Sequence, residues 1–284
     1  MPHYKYRIVN VFADVTSSEP RLTGNPLCVF EDARDMDTQT MQGLALQFNL
    51  SETVFILPSD KATSRVRIFT PAFEMPFAGH PTLGSAHVVR VLKGCGDSVT
   101  LEMSAGVIPV TARGDTWTLK ANAPQTSLPE ADTAAIAATL GIDVTDFAGA
   151  PLWVNTGNEQ MMVPVASAEV ARRCRPDPAR MATHRNIDNA PKFFVWAELG
   201  DGEILARFFL LKHGALLEDY GTGSAAANLG GWFVTRRAPL PLKRVIHQGE
   251  PIARPSTLLL EVDAGGEIYV GGLVMDLGAG SVVL

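Results

Sequence analysis

Cysteine is scarce in this chain of 284 residues. The three that occur, Cys28, Cys95 and Cys174, lie far apart and form no CxxC pair, so the sequence supplies neither a disulfide framework nor a thiol-based zinc ligand set. Cys28, in the apolar run Leu27-Cys28-Val29-Phe30, reads as a small buried hydrophobe. Cys95 lies in the turn Gly94-Cys95-Gly96. Cys174 sits among Arg172, Arg173 and Arg175 with no neighbouring histidine or acid, and no role is assigned to it. Basic runs are also missing, and 24 Lys and Arg against 30 Asp and Glu leave a net charge of −6. Such a chain lacks the cationic surface that phosphate backbones need, so nucleic acid is not an expected partner. The longest uncharged stretch, 220–235, is 16 residues with four glycines, too short and polar to cross a bilayer, so no membrane partner is expected. The opening MPHYKYRIVNVFAD has no apolar stretch of signal-peptide length, and the expected location is cytoplasmic. Apolar residues are plentiful at 46%, enough for one large or two small folded domains.

The order of features is written twice. Thr23-Gly24-Asn25 precedes the apolar run Leu27 to Phe30, and Thr156-Gly157-Asn158 precedes Met161 to Val165. A helical pattern follows in the first half, with Asp37 as N-cap, Met41, Leu44 and Phe48 at helical spacing, and Asn49 as a stop; its counterpart is 168–175. Strands are expected at 52–57 and 192–197. Arg67-Ile68-Phe69 and Arg207-Phe208-Phe209 follow, each leading through about ten irregular residues to a small-residue helix start, Gly79-His80-Pro81-Thr82-Leu83-Gly84 and Gly221-Thr222-Gly223-Ser224-Ala225-Ala226. Alternating strands close both halves, at 99–119 and 245–275. The expected architecture is α+β: two pseudo-symmetric duplicated domains, each a mostly antiparallel mixed sheet with one long apolar helix. The boundary is placed near Pro124 and Pro129, giving halves of 1–124 and 125–275, with a C-terminal strand at 276–284 that returns to the first. Duplicated proteins of this kind hold a ligand in the cleft between halves.

Helix N-termini offer unpaired N–H groups and the positive end of the dipole, so both helix starts are candidate anion sites. Their glycines also suit tight helix packing, but two equivalent starts favour ligand binding. No GxxxxGK[ST] loop or basic cluster accompanies them, so a small carboxylate fits better than a phosphate. Gly221-x-Gly223-x-x-Ala226 matches the dinucleotide fingerprint only superficially, because the preceding strand is expected to end about ten residues earlier and no acid lies at the required distance downstream. No cofactor and no metal are therefore expected.

Glu52 opens a strand that is apolar on both faces and points to the side of Val54 and Ile56, where desolvation would raise its pKa toward the range useful for proton transfer. A solvated residue at a strand mouth fits the position equally well. Lys192 takes its place in the second half, so the duplication supplies no matching acid. Asp219 lies just ahead of the second helix, where capping alone accounts for it. His80 is read as the corresponding residue before the first helix, with Pro81 at that helix's first position. His87 lies two turns on and is not read as a metal ligand partner.

These residues resemble the PhzF-like family of phenazine biosynthesis, within the diaminopimelate epimerase-like fold group. The resemblance is carried by Gly24-Asn25-Pro26, Asn49-Leu50-Ser51-Glu52-Thr53, Phe69-Thr70-Pro71, Glu74-Met75-Pro76-Phe77-Ala78-Gly79-His80-Pro81, Thr222-Gly223-Ser224-Ala225, Gln248-Gly249 and Arg254-Pro255-Ser256. It implies two pseudo-symmetric domains, each a sheet wrapped around a central helix, and assembly as a homodimer. It implies Glu52 as the proton-shuttling glutamate, His80, Asp219 and Ser224 as polar active-site residues, and the backbone at Gly79 and Gly223 as a carboxylate cradle. The epimerase branch carries a cysteine at each helix start, where this chain has Ala78 and Tyr220, so a two-thiol racemase is not implied. Nearer relatives commonly read DPATGSA where this chain has Asp219-Tyr220-Gly221-Thr222-Gly223-Ser224-Ala225. The expected function is cofactor-independent isomerisation of a small carboxylate-containing metabolite by a single glutamate. A dehydratase on the same fold and a non-catalytic small-acid binding protein are the alternatives.

Overall fold

The apolar runs and alternating segments become strands laid around two long helices. The structure, a computed structural model, describes every residue except Arg185 and His213. The chain divides into two units, Met1–Lys120 with Gly271–Leu284, and Ala121–Val270. The sequence places these crossings near 124 and 276; in the structure Ala121 already belongs with the second unit, its N–H bonded to the Ile268 carbonyl, and Gly271 belongs with the first.

In the first unit β1 (His3–Val11) pairs antiparallel with β2 (Asn25–Phe30) on one edge and with the C-terminal strand Ile268–Val283 on the other. Helix α1 (Thr38–Phe48) begins where the Asp37 carboxylate accepts from the Thr40 N–H at 2.7 Å and ends at left-handed Asn49, as its sequence predicts. It buries Met41, Leu44 and Ala45 in a cluster with Phe30, Phe55 and Phe69. Strand β3 (Thr53–Leu57) runs parallel to β2 and antiparallel to β4 (Ser64–Phe69), which is bridged to the two-residue β5 (Glu74–Met75). Then comes α2 (Gly79–Lys93), followed by β6 (Ser98–Met103), β7 (Gly106–Arg113) and β8 (Thr116–Lys120). Residues 80–89 of α2 are buried without interruption, and the helix packs on β1, β2, β3, β4, β6, β7 and β8. A helix buried all round needs small residues at close approaches. At Gly84, a Cβ would stand 2.6 Å from Leu27 Cδ2.

The second unit repeats the plan. It opens with β9 (Gln125–Ser127), α3 (Thr133–Leu140) and β10 (Leu152–Asn155), followed by β11 (Glu159–Pro164), α4 (Ala168–Arg173) and α5 (Pro178–Met181). The helix expected at 168–175 is thus shorter, ending at Arg173 with Cys174 as its C-cap. After it come β12 (Lys192–Gly200), β13 (Glu203–Lys212), β14 (Ala215–Asp219), α6 (Gly223–Thr235), β15 (Leu242–Gln248), β16 (Ser256–Val262) and the beginning of β17 (Ile268–Val283). The pairings recur in order: β2 parallel to β3 and β11 to β12, β3 antiparallel to β4 and β12 to β13, β4 to β5 and β13 to β14, then β4 parallel to β6 and β13 to β15. The fold is α+β, a mostly antiparallel mixed sheet around a central helix in each unit.

The repeated arginines explain why the hairpin before each central helix holds. Arg67 donates to both carboxylate oxygens of Glu74 at 2.8 and 2.6 Å, with its guanidinium 5.0 Å from the Phe69 ring. Arg207 does the same to Glu218 at 2.9 and 2.7 Å, 4.6 Å from Phe209. The second pair is the more buried, and Arg207 also donates to the carbonyls of Ala171, Arg172 and Cys174, closing the end of α4. No helix among the described residues is long and apolar enough to cross a membrane.

Candidate active site

Glu52 immediately precedes β3 rather than opening it, and the burial of Thr53, Val54, Phe55 and Ile56 shows the strand covered on both faces as expected. The parallel register fixes its place: Cys28 lies opposite Thr53 in the first unit and Met161 opposite Phe193 in the second. The residues just before Thr53 and Phe193 are Glu52 and Lys192. Lys192 donates to Asn158 Oδ1 at 2.7 Å, and burial holds its ammonium below the ordinary lysine value.

His80 is the second residue of α2, not a residue ahead of it, and Pro81 is the third. The difference arises because the helix starts at Gly79, capped by extended Ala78, which has no side chain to bond the first turn. The first N–H groups of α2 are therefore left without a side-chain cap. His80 Nε2 stands 3.5 Å from Glu52 Oε2, with the two side chains 8% and 15% exposed. Burial pushes the imidazole down to about 3, against a hydrogen bond from the ring to the Pro26 carbonyl. The ring is thus neutral near pH 7. The ring donates to the Pro26 carbonyl, and Nε2 is the ring nitrogen that faces the Glu52 carboxyl. Glu52, His80 and Gly79 are brought together in the first unit.

Asp219, Gly223 and Ser224 come together in the second unit. Asp219 is the last residue of β14, and Thr222, not Asp219, is the N-cap of α6. The Thr222 hydroxyl is turned away from the helix: it donates to Asp219 Oδ2 at 2.5 Å, while Asp219 Oδ1 accepts from the Tyr220 N–H at 2.9 Å. This helix start too has no side-chain cap, and Ser224 is its second residue, the counterpart of His80 in α2. The segment is clamped by buried Gln248, which accepts from the Thr222 N–H at 3.1 Å and donates to the Asp219 carbonyl and the Thr222 hydroxyl, both at 3.0 Å. Gly249 follows at φ +81°, where a Cβ would lie 2.2 Å from the Arg254 carbonyl oxygen and 2.6 Å from that of Tyr220. Only glycine fits there. Arg254 covers the Tyr220 ring at 5.3 Å.

The strand before Gly221 ends at Asp219, closer than expected, because Ala215–Asp219 is too short to show periodicity. It pairs antiparallel with β13, which is not the parallel βαβ setting of a dinucleotide fingerprint. Among the described residues, no three His, Cys, Asp or Glu side chains form a metal-binding group.

The model of the family described as phenazine biosynthesis-like protein matches residues 9–272. The chain belongs to the phenazine biosynthesis-like family. It is 36% identical to an uncharacterized isomerase of Pasteurella multocida, covering 98% of this chain and 94% of that protein. It is 32% identical to the trans-2,3-dihydro-3-hydroxyanthranilate isomerase of Pseudomonas aeruginosa, covering 93% and 92%. The fold matches that of a PhzF-family protein of Bacillus anthracis over the whole of both chains, with a TM-score of 0.86 at 23% identity. The chain is a PhzF-family isomerase.

Proposed function

We propose that this isomerase moves a proton between two carbons of a small carboxylate-containing metabolite, with Glu52 as the only acid/base and no cofactor. The observation that carries the reading is the Glu52–His80 pair. As carboxylate, Glu52 takes a proton from one substrate carbon, and the electron pair left behind shifts through the adjoining double bond. The resulting carboxylic acid has an acceptor in Nε2 of neutral His80. The neutral imidazole takes a hydrogen bond from that acid, and the proton returns from Glu52 to the second carbon. Taken unit by unit, the uncapped start of α2 offers backbone N–H groups at Gly79 and the His80 ring to a carboxylate-bearing ligand, and the uncapped start of α6 offers backbone N–H groups at Gly223 with the Ser224 and Asp219 side chains. The relatives' substrate suggests an amino acid on a hydroxylated unsaturated ring, and Tyr220, where nearer relatives are smaller, alters which ring is accepted. We place the enzyme in the cytoplasm as a homodimer.

The test is incubation of dialysed, chelator-treated protein with trans-2,3-dihydro-3-hydroxyanthranilate and a panel of cyclic amino and hydroxy acids in deuterated water. The reading predicts isomerised product carrying solvent deuterium without any additive. Product lighter by one water would establish the dehydratase, tight binding without exchange the binding protein, and activity restored only by a metal, flavin or nicotinamide would contradict the cofactor-free mechanism.

A further inference from the structure

Behind Ser224 lies a buried amide network with one direction. The backbone N–H of Thr156, which can only donate, and the Thr156 hydroxyl reach Asn228 Oδ1 at 2.9 and 2.7 Å. Asn228 Nδ2 donates to the carbonyl of Asn158, which can only accept, at 2.8 Å. Those two backbone groups settle which end of the Asn228 amide is nitrogen. Asn228 Nδ2 also donates to Gln160 Oε1 at 2.8 Å, which turns Gln160 so that its Nε2 donates to Ser224 Oγ at 2.8 Å. Gln160 and Asn228 are fully buried, whereas Ser224, where the chain of bonds ends, is partly exposed.

The fold itself does not demand these amides. Four residues beyond Thr156 stands Gln160, and four beyond Ser224 stands Asn228. The same steps from Thr23 and His80 lead to Leu27 and Gly84, which touch in the first unit as Gln160 and Asn228 do in the second. A hydrocarbon against a glycine fills that place in one copy. Buried amides replace it in the other, at a desolvation cost that full hydrogen bonding offsets without a large net gain.

We propose that Gln160 is a positioning residue that, backed by Asn228, occupies the Ser224 oxygen as an acceptor and so commits the Ser224 proton to an acceptor oxygen of the substrate, a carboxylate or ring hydroxyl. The proposal rests on the reading that Ser224 holds substrate. Its test has two arms. In ligand-free, nitrogen-15-labelled protein, the Gln160 side-chain amide protons, assigned by their loss in Gln160→Glu or Gln160→Met, should exchange slowly with solvent and shift in Ser224→Ala. Fast exchange, or no response to Ser224→Ala, overturns the network.

In the second arm, trans-2,3-dihydro-3-hydroxyanthranilate is the probe. Gln160→Glu presents only acceptors, draws the Ser224 proton away from the substrate, and should raise KM roughly tenfold with a smaller change in kcat, the loss of about one hydrogen bond. Gln160→Met, the fallback if a buried carboxylate prevents folding, should raise KM severalfold. Combined with Ser224→Ala, either variant should add nothing to the loss from Ser224→Ala alone. Additive losses or an unchanged KM overturn the proposal. Absence of turnover by the wild-type protein counts against the substrate reading instead, and the ligand-free arm then decides the inference by itself.

Discussion

His80 couples the candidate active site to stability. Its folded value is about 3 and its ordinary value 6.5, so between those pH values the unfolded chain binds a proton that the folded one refuses. The contribution is complete above pH 6.5 and is lost as pH falls toward 3. Denaturant unfolding at pH 6.5 and 4.5 should show wild-type protein losing about 2–3 kcal/mol more than His80→Gln over that interval. Equal losses would mean that the ring is protonated in the folded state. The thiols follow the same logic of burial. Burial pushes Cys28 far up and Cys174 to about 11, while Cys95 lies partly exposed in its turn. Iodoacetamide at pH 8 should therefore add a single label to the native protein and three to the unfolded one, counted by intact mass.

Among elements, the two hairpins show how one motif is used at different depths. Arg207 and Glu218 are 5% and 10% exposed, and Arg67 and Glu74 are 18% and 30%. Replacing Glu218 by glutamine leaves a buried guanidinium short of its counter-charge and should cost about 3 kcal/mol in thermal or denaturant unfolding. Glu74→Gln should cost about 1 kcal/mol or less. Similar losses would show that depth does not set the worth of the pair. These arginines were legible as a repeat, but the short strands holding their glutamates were not, since two to five residues carry no usable period. Missing β14 is what made Asp219 look like a helix cap. Gln160 escaped altogether and Gln248 entered only within a family motif, without its clamping role, for a different reason: amides carry no hydrophobic pattern, and their partners lie 64 and 26 residues away.

At the scale of the whole molecule, the duplication was readable because both copies keep their helix starts and strand order, while the copies differ where the chemistry is proposed. Glu52 is answered by Lys192, His80 by Ser224, and Leu27 with Gly84 by Gln160 with Asn228. A proton shuttle built on this plan has no acid in the second unit at the position equivalent to Glu52, which makes Glu52 the residue to test. Glu52→Gln keeps size and hydrogen bonding but cannot accept a proton. The decisive measurement is turnover of trans-2,3-dihydro-3-hydroxyanthranilate in deuterated water by the wild-type protein and by Glu52→Gln at matched fold and binding. The variant should bind the compound and lose at least about a thousandfold in both product formation and deuterium uptake. Turnover by Glu52→Gln near the wild-type rate would contradict that expectation, and place the proton on another group.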